Sequence, residues 1–306
     1  MSSHVRTYEA LGTLIASDVA LPDLREVEPR PGAPAQVRIR FGEVAPRLEA
    51  PSLEGPAYQA DPESFLLTTP QIRCLTRAGR EIVVEPLDAP DDATLQTFLT
   101  GTPFAALCYQ RGLVPLSATA LAVNGSAIVL AGASGSGKST LGAQIAARGY
   151  PLLSDDLVPV DVAHSTLVAQ PFRQRLRLWR DVLDVMGLDH RDLPSDRAAL
   201  QRYHLAAAQT APAPMAVRRI YILGAWPEAP VDRFEPLRGL EAIGAVADTT
   251  VLPALLPLLF GIEGRFRKLV GIVGNTSLVR WIRRLDFDDL EGQVDAIEAD
   301  ALRATA

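Results

Sequence analysis

Cysteine is nearly absent from this chain: Cys74 and Cys108 are the only two in 306 residues. They are too few and too far apart for a disulfide framework or a thiolate metal cluster, so both are expected to be buried thiols. Histidine is scarce too. His4, His164, His190 and His204 are scattered, and none stands with a serine, aspartate or ligand partner that would give it a chemical role. An excess of positive charge is also lacking. The 30 Lys and Arg face 36 Asp and Glu, and the net charge of −6 excludes a general nucleic-acid binder or a protein drawn to polyanionic membranes. No long hydrophobic run occurs. The most apolar stretch, residues 251–260, contains Pro253 and Pro257 and is too short to span a bilayer. Residues 1–9 are polar and mixed, unlike a secretory signal. No internal repeat or low-complexity tail is found. The expectation is a soluble cytoplasmic protein with no nucleic-acid or membrane partner. What remains, 48% hydrophobic and 22% charged residues, is an ordinary globular composition, and the length suggests about two domains.

One stretch stands out: Gly132, Ala133, Ser134, Gly135, Ser136, Gly137, Lys138, Ser139 and Thr140 fit G-x-x-x-x-G-K-[ST]. An apolar, strand-like run, residues 127–131, precedes it, and a helix-like run, residues 141–148, follows and stops at Gly149. Glycines let the backbone bend around a phosphate and turn its N–H groups toward it, and the helix start adds the positive end of its dipole. Lys138 is expected to reach the β- and γ-phosphates and the Ser139 hydroxyl to ligate Mg²⁺. The pattern therefore predicts a nucleoside triphosphate, ATP or GTP, bound with Mg²⁺.

The chain before this motif reads as β-rich up to about residue 90. Strand-like runs cover residues 8–16, 37–41, 64–69, 71–75 and 81–85, with a hairpin at residues 77–80 and loops at 21–34 and 45–56. Residues 91–110 read as a helix, capped by Asp91 or Asp92 and broken or kinked at Gly101 and Pro103. Residues 114–123 read as a strand, with Asn124-Gly125 as a hairpin turn. After the motif, residues 150–154 form a strand that ends in Asp155 and Asp156. Ligands of open α/β sheets sit at strand carboxyl ends, which places both carboxylates beside the loop. One can hold Mg²⁺ through water and the other can accept the proton of an attacking hydroxyl, provided the strand has already turned there. A solvated Asp-Asp turn is the plainer alternative. Arg173, Arg175 and Arg177 alternate, and either hold substrate phosphate or form a solvated edge. Further on, residues 181–186 are expected to be helical, 189–201 polar loop plus helix, 218–223 a strand, 252–273 a helix, 277–282 extended and 287–303 a closing helix with Leu290, Val294 and Ile297 on one face.

Residues 116–162 resemble HPr kinase/phosphorylase, and more closely the HPr-kinase-related serine kinases of bacterial peptide-modification clusters, including those that phosphorylate lasso peptide precursors. The resemblance rests on residues 121–131 before the loop, the loop itself, Arg148-Gly149-Tyr150, and Ser154-Asp155-Asp156. Arg111-Gly112-Leu113-Val114-Pro115-Leu116 is similar to the family's lead-in. Three departures stand beside it. Ser117 occupies the position of a family histidine, Thr140 follows the loop serine where HPr kinase has glutamate, and the later Pro-Gly-Arg-Asn segment is missing. Phosphorolysis, and HPr itself as substrate, are therefore not expected.

The resemblance implies an α/β fold with a P-loop kinase core of the HPr kinase type, residues 91–306, preceded by a smaller β-rich domain, residues 1–90. It implies an ATP-dependent serine kinase acting on a Ser- or Thr-bearing peptide or protein, and leaves homo-oligomerisation open. The roles expected are loop residues 132–140 with Lys138 on the triphosphate, Ser139 and Asp156 on Mg²⁺, and Asp155 on the acceptor hydroxyl. Strand geometry alone does not decide which carboxylate faces the metal. Two alternatives stay open: a non-catalytic nucleotide-binding accessory protein of peptide maturation, and an ABC-type ATPase. The latter shares the loop but needs a Leu-Ser-Gly-Gly-Gln segment that this chain lacks.

Overall fold

The computed structural model describes residues 5–29, 31–162, 165–197, 201–224, 233–284 and 289–305. The protein is mixed α/β with several sheets. Its backbone falls into two compact units: Met1–Pro115 with Val251–Arg265, and Leu116–Thr250 with Phe266–Ala306. Residue 90, the boundary expected from sequence, lies inside the first unit, which also takes in the two helices that follow it. Among the described residues no helix is long and apolar enough to cross a membrane.

The first unit is built on strands β1 (Arg6–Ala10), β2 (Thr13–Ser17), β3 (Arg25–Glu26), β4 (Val37–Phe41), β5 (Leu53–Gly55), β6 (Tyr58–Ala60), β7 (Ser64–Thr68), β8 (Ile72–Arg77) and β9 (Glu81–Pro86). They form one sheet in the order β3-β1-β2-β4-β9-β8-β7-β6-β5. The run read as one strand at residues 8–16 is a hairpin. Leu11 and Gly12 both have positive φ, the twist a two-residue turn between antiparallel strands needs. The expected hairpin at residues 77–80 is present, with Ala78 and Gly79 in the same conformation. β3 and β5 lie within the stretches read as loop, residues 21–34 and 45–56. The helix expected at 91–110 is two helices, α1 (Asp92–Leu99) and α2 (Thr102–Gln110), divided at Gly101. Asp91 is the cap: its carboxylate accepts the Thr94 N–H at 2.8 Å. Cys74 and Cys108 are buried free thiols, and burial pushes both well above the ordinary thiol range.

The second unit begins as β10 (Val114–Leu116) ends. It contains β11 (Ala118–Val123), β12 (Ser126–Gly132), α3 (Lys138–Ala147), β13 (Leu152–Ser154), β14 (Val158–Asp161), β15 (Val168–Ala169), β16 (Arg175–Trp179) and α4 (Arg180–Val185). There follow β17 (Ser195–Arg197), β18 (Arg202–Ala206), β19 (Met215–Leu223), β20 (Arg233–Pro236), α5 (Gly239–Thr249), α6 (Leu255–Gly274), β21 (Ser277–Ile282) and α7 (Leu290–Thr305). α6 starts in the first unit and is broken at Gly261, whose φ of 70° and ψ of 174° are not helical. α5 was not expected. The region 189–201, expected as loop plus helix, contributes β17 to a three-stranded sheet, β16-β18-β17, while residues 198–200 lie outside the described residues.

Three parallel strands set the frame for the site. β12 pairs with β19 and β19 with β21, and the register aligns Gly132 with Leu223 and Leu223 with Trp281. Their carboxyl ends therefore lie side by side. β11 runs antiparallel on the other side of β12, joined through Asn124-Gly125 with both residues at positive φ, and β13 pairs antiparallel with β11. One apolar cluster fixes α3 and α7 on these strands. Leu141 and Ile145 of α3 and Val294 and Ile297 of α7 pack with Ile128, Leu130, Tyr221 and Trp281, and with Leu176, Leu178 and Leu183 from β16 and α4. Burial at this density leaves the strand ends little freedom to shift.

Candidate functional site

The loop between β12 and α3 has the backbone its glycines allow. Gly135 and Gly137 sit at φ 81° and 83°, the left-handed region that side chains disfavour. Gly132 is constrained by space instead: a Cβ there would meet the Leu223 carbonyl oxygen and Ser136 Oγ, each at 2.8 Å. α3 starts at Lys138 after Gly137, and no side chain caps its first amides. Those N–H groups are the orphan donors of any helix start, and here they open beside a cation. Lys138 is 8% exposed. It folds back on its own loop, donating to the carbonyls of Gly132 at 2.9 Å and Ala133 at 2.8 Å. Desolvation lowers its pKa against the opposing pull of Asp156 and Asp155.

The two adjacent carboxylates part ways. β13 ends at Ser154, and the chain turns at Asp156, which has φ 67°. The strand has therefore turned, as a shared site requires, and each side chain takes a different environment. Asp155 is fully buried. Its Oδ1 accepts hydroxyls from Thr119 at 2.5 Å and Ser139 at 2.9 Å, and its Oδ2 accepts the Arg177 N–H at 2.9 Å. Desolvation raises its pKa, the Thr119 bond opposes this, and the neighbouring Asp156 adds to the rise. α3 approaches β11 closely at this point, because Gly142 leaves room for Thr119; a Cβ at Gly142 would fall 2.5 Å from Thr119 Cγ2.

The Asp156 side chain is 45% exposed and its Oδ2 is held by Arg173 Nη1 at 2.5 Å and Arg177 Nη1 at 2.9 Å. Desolvation pushes its pKa up, but Arg173 and then Arg177 outweigh it, and the net shift is down. Arg173 is buried just before β16, so the three alternating arginines are not a solvated edge; two of them converge on one carboxylate.

Ser134, Gly135, Gly137, Lys138, Ser139, Thr140 and Asp156 line one cavity of about 310 Å³. Arg177, Trp179, Arg202, Arg283 and Gln293 supply much of the rest. Trp179 is 47% exposed, with the Arg202 guanidinium 5.5 Å from its ring centre. Among the described residues no group of three or more His, Cys, Asp or Glu is placed to hold a metal by itself.

The expected residues are thus brought together, with one change of pairing. Sequence reasoning joined Ser139 to Asp156; the Ser139 hydroxyl instead bonds Asp155, and Asp156 faces arginines. Ser117 lies beside the loop's first residue, its carbonyl accepting the Gly132 N–H at 3.4 Å. His4 and His164 lie outside the described residues. Sequence reasoning missed Thr119, Trp179, Arg202, Arg283 and Gln293. The one signal available was Thr119, a polar residue inside an otherwise apolar strand; the others come from segments that nothing in the sequence ties to the loop.

No protein-family model and no curated protein matches the chain. A solved structure of Hpr(Ser) kinase/phosphatase from Coxiella burnetii aligns with 63% of this chain and 99% of its own at 12% identity, with a TM-score of 0.34. That similarity is too slight to support a statement about fold or function.

Proposed function

We propose that the second unit binds ATP with Mg²⁺ on residues 132–140 and transfers the terminal phosphoryl group to a serine or threonine hydroxyl of a peptide or protein. In this reading the strand, loop and α3 are a phosphate-binding loop in a kinase core of the HPr kinase type, and a ribosomally made precursor peptide is the first acceptor to try. The observation that supports it best is the Ser139–Asp155 hydrogen bond beside the uncapped start of α3. A buried carboxylate bonded to the loop serine is the donor set that a P-loop enzyme uses for Mg²⁺, with phosphate oxygens and water completing a shell the protein alone does not. Bound Mg²⁺ would supply charge neutralisation for the phosphate oxygens.

The chain's own residues then divide the work. The amides at the start of α3 and the Lys138 ammonium bind the phosphates, Lys138 exchanging the Gly132 and Ala133 carbonyls for them. Ser139 and Asp155 form the metal side, held by Thr119 and the Arg177 N–H. Asp156 opens on the cavity and takes the acceptor side. Its pKa is held down by two guanidiniums, so it orients the hydroxyl more than it accepts a proton, and phosphoryl transfer depends chiefly on positioning and electrostatics. This exchanges the roles that sequence reasoning gave the two aspartates.

The test uses the full chain with labelled ATP, Mg²⁺ and a panel of Ser- and Thr-bearing precursor peptides, read by mass spectrometry for one added phosphate. Lys138→Ala should abolish nucleotide binding in a calorimeter. Asp155→Asn should weaken Mg²⁺-dependent binding, whereas Asp156→Asn should leave binding within a few-fold and slow transfer by about 10²-fold, the scale of a misplaced acceptor. Equal transfer by both Asn variants and wild type would remove the mechanism. The second reading, a non-catalytic nucleotide-binding protein, draws on Ser117 and on the neutralised Asp156. Nucleotide binding without product across the panel would favour it.

A further inference from the structure

Arg283 follows β21 and is 2% exposed, yet it lines the cavity that the loop lines. Its guanidinium carbon lies 5.1 Å from the centre of the Trp281 ring, and Nη1 donates to Gln293 Oε1 of α7 at 2.7 Å. Gln293 is fixed in turn, its amide donating to the Arg284 carbonyl at 3.1 Å. The other end, Nη2, donates to the Ser136 carbonyl, 147 residues away in the glycine loop. The planar fork is thus oriented by a ring and a side-chain amide and spends an N–H on the loop backbone.

That contact has a geometric consequence. The Ser136 carbonyl and the Gly137 N–H belong to one planar trans peptide and point in opposite directions. That peptide turns on ψ of Ser136 and φ of Gly137, and Gly137, at left-handed φ, has no Cβ to resist the rotation on its side, so the contact from Arg283 helps hold the carbonyl in place. A flipped Ser136 carbonyl would aim a negative dipole where an amide is needed.

We propose that Arg283 is a positioning residue of the anion cradle: by holding the Ser136 carbonyl it fixes the Gly137 N–H in the phosphate-binding orientation, and it adds positive charge beside a polyphosphate chain. The ligand class is a di- or triphosphate, and the inference rests on the nucleotide-binding reading above. Arg283 acts on the loop, so its loss should fall on phosphate binding.

The test compares wild type, Arg283→Met, which keeps an unbranched apolar stem against Trp281, and Arg283→Lys, which keeps the charge but loses the fork. Calorimetry on the full chain uses ATP, ADP and inorganic tripolyphosphate. Arg283→Met should weaken all three by about 10–100-fold, the worth of a charge-assisted hydrogen bond, and Arg283→Lys should recover only part of the loss. In transfer assays the Met variant should raise the KM for ATP with kcat within a few-fold. A lowered active fraction would instead cut kcat at constant KM, and that pattern would overturn the proposal. So would tripolyphosphate affinity equal to wild type in a folded Arg283→Met or Arg283→Lys protein. If wild type binds tripolyphosphate in an Arg283-dependent way but no product forms, the cradle assignment stands and only the kinase reading falls. If wild type binds none of the three ligands, both fall.

Discussion

Thr119→Val tests whether the buried carboxylate is held as the structure implies. The substitution keeps the branched shape on β11 and removes one donor from Asp155, with both residues fully buried and 2.5 Å apart. A hydrogen bond to a charged group contributes about 1.5–3 kcal/mol. At about 2–4 °C per kcal/mol for a domain of about 150–250 residues, the melting temperature should fall by about 3–12 °C. The pH dependence gives a second handle. Burial raises the Asp155 pKa above its unfolded value, so the folded state binds that proton more tightly. Asp155 therefore costs stability as pH rises from the unfolded pKa through the folded one. The Thr119 bond opposes that rise, and removing it pushes the folded pKa higher still. The destabilisation should be largest near neutral pH and shrink toward about pH 4, the unfolded carboxylate range. Thermal melts of both proteins at the two pH values decide it. A variant that melts with wild type at neutral pH, or loses more in acid, would refute the reasoning.

Gly132→Ala places a Cβ 2.8 Å from the Leu223 carbonyl, a backbone atom held by the β12–β19 pairing, so it should cost about 1–3 kcal/mol and displace the loop. Denaturant melts would read the first effect and nucleotide titration the second. Asp156→Asn removes the charge that pairs with Arg173 and Arg177. Because the folded pKa of Asp156 lies below the unfolded one, its contribution is present above the unfolded pKa and lost as pH falls through the folded pKa. The Asn variant should therefore be less stable than wild type near neutral pH, with the two melting curves converging in acid.

Local chemistry was legible in the sequence, and long-range geometry was not. Asn124-Gly125 between apolar runs, Asp91 before a helix, and the glycines of residues 132–137 all specify backbone within a few residues, and each took the expected form. Residues 8–16 were misread because Leu11-Gly12 sits inside an alternating pattern that continues on both sides of the turn. β5, β6 and β17 have three residues each, too short for periodicity to register. α5 was missed because its Gly- and Ala-rich sequence, GLEAIGAVADT, offers few large apolar residues to mark a face; Ala242 and Val246 bury it, while Leu240 points outward.

The site shows the same limit more sharply. Sequence placed the loop and the acidic pair together because strand ends gather ligands. It could not divide the labour of two neighbouring aspartates, since that depends on groups far along the chain: Thr119 and Ser139 on one side, Arg173 and Arg177 on the other. A single turn at Asp156 sends one carboxylate inward to hydroxyls, where burial raises its pKa, and leaves the other partly open against two cations, which lower it. Opposite shifts in adjacent identical side chains show that environment, not residue type, sets their chemistry. Under the proposed function the inward one, fixed by neutral donors, would suit a metal that needs an unpaired negative charge. The outward one, already balanced by guanidiniums, would under the same proposal suit a neutral hydroxyl that needs an acceptor without a second charge to repel the phosphates. The same logic explains why Arg283 escaped notice. In SLVRWI and the residues after it, an arginine looks like any surface arginine until β21 is laid parallel to β19 and β19 to β12, which brings its side chain to the loop.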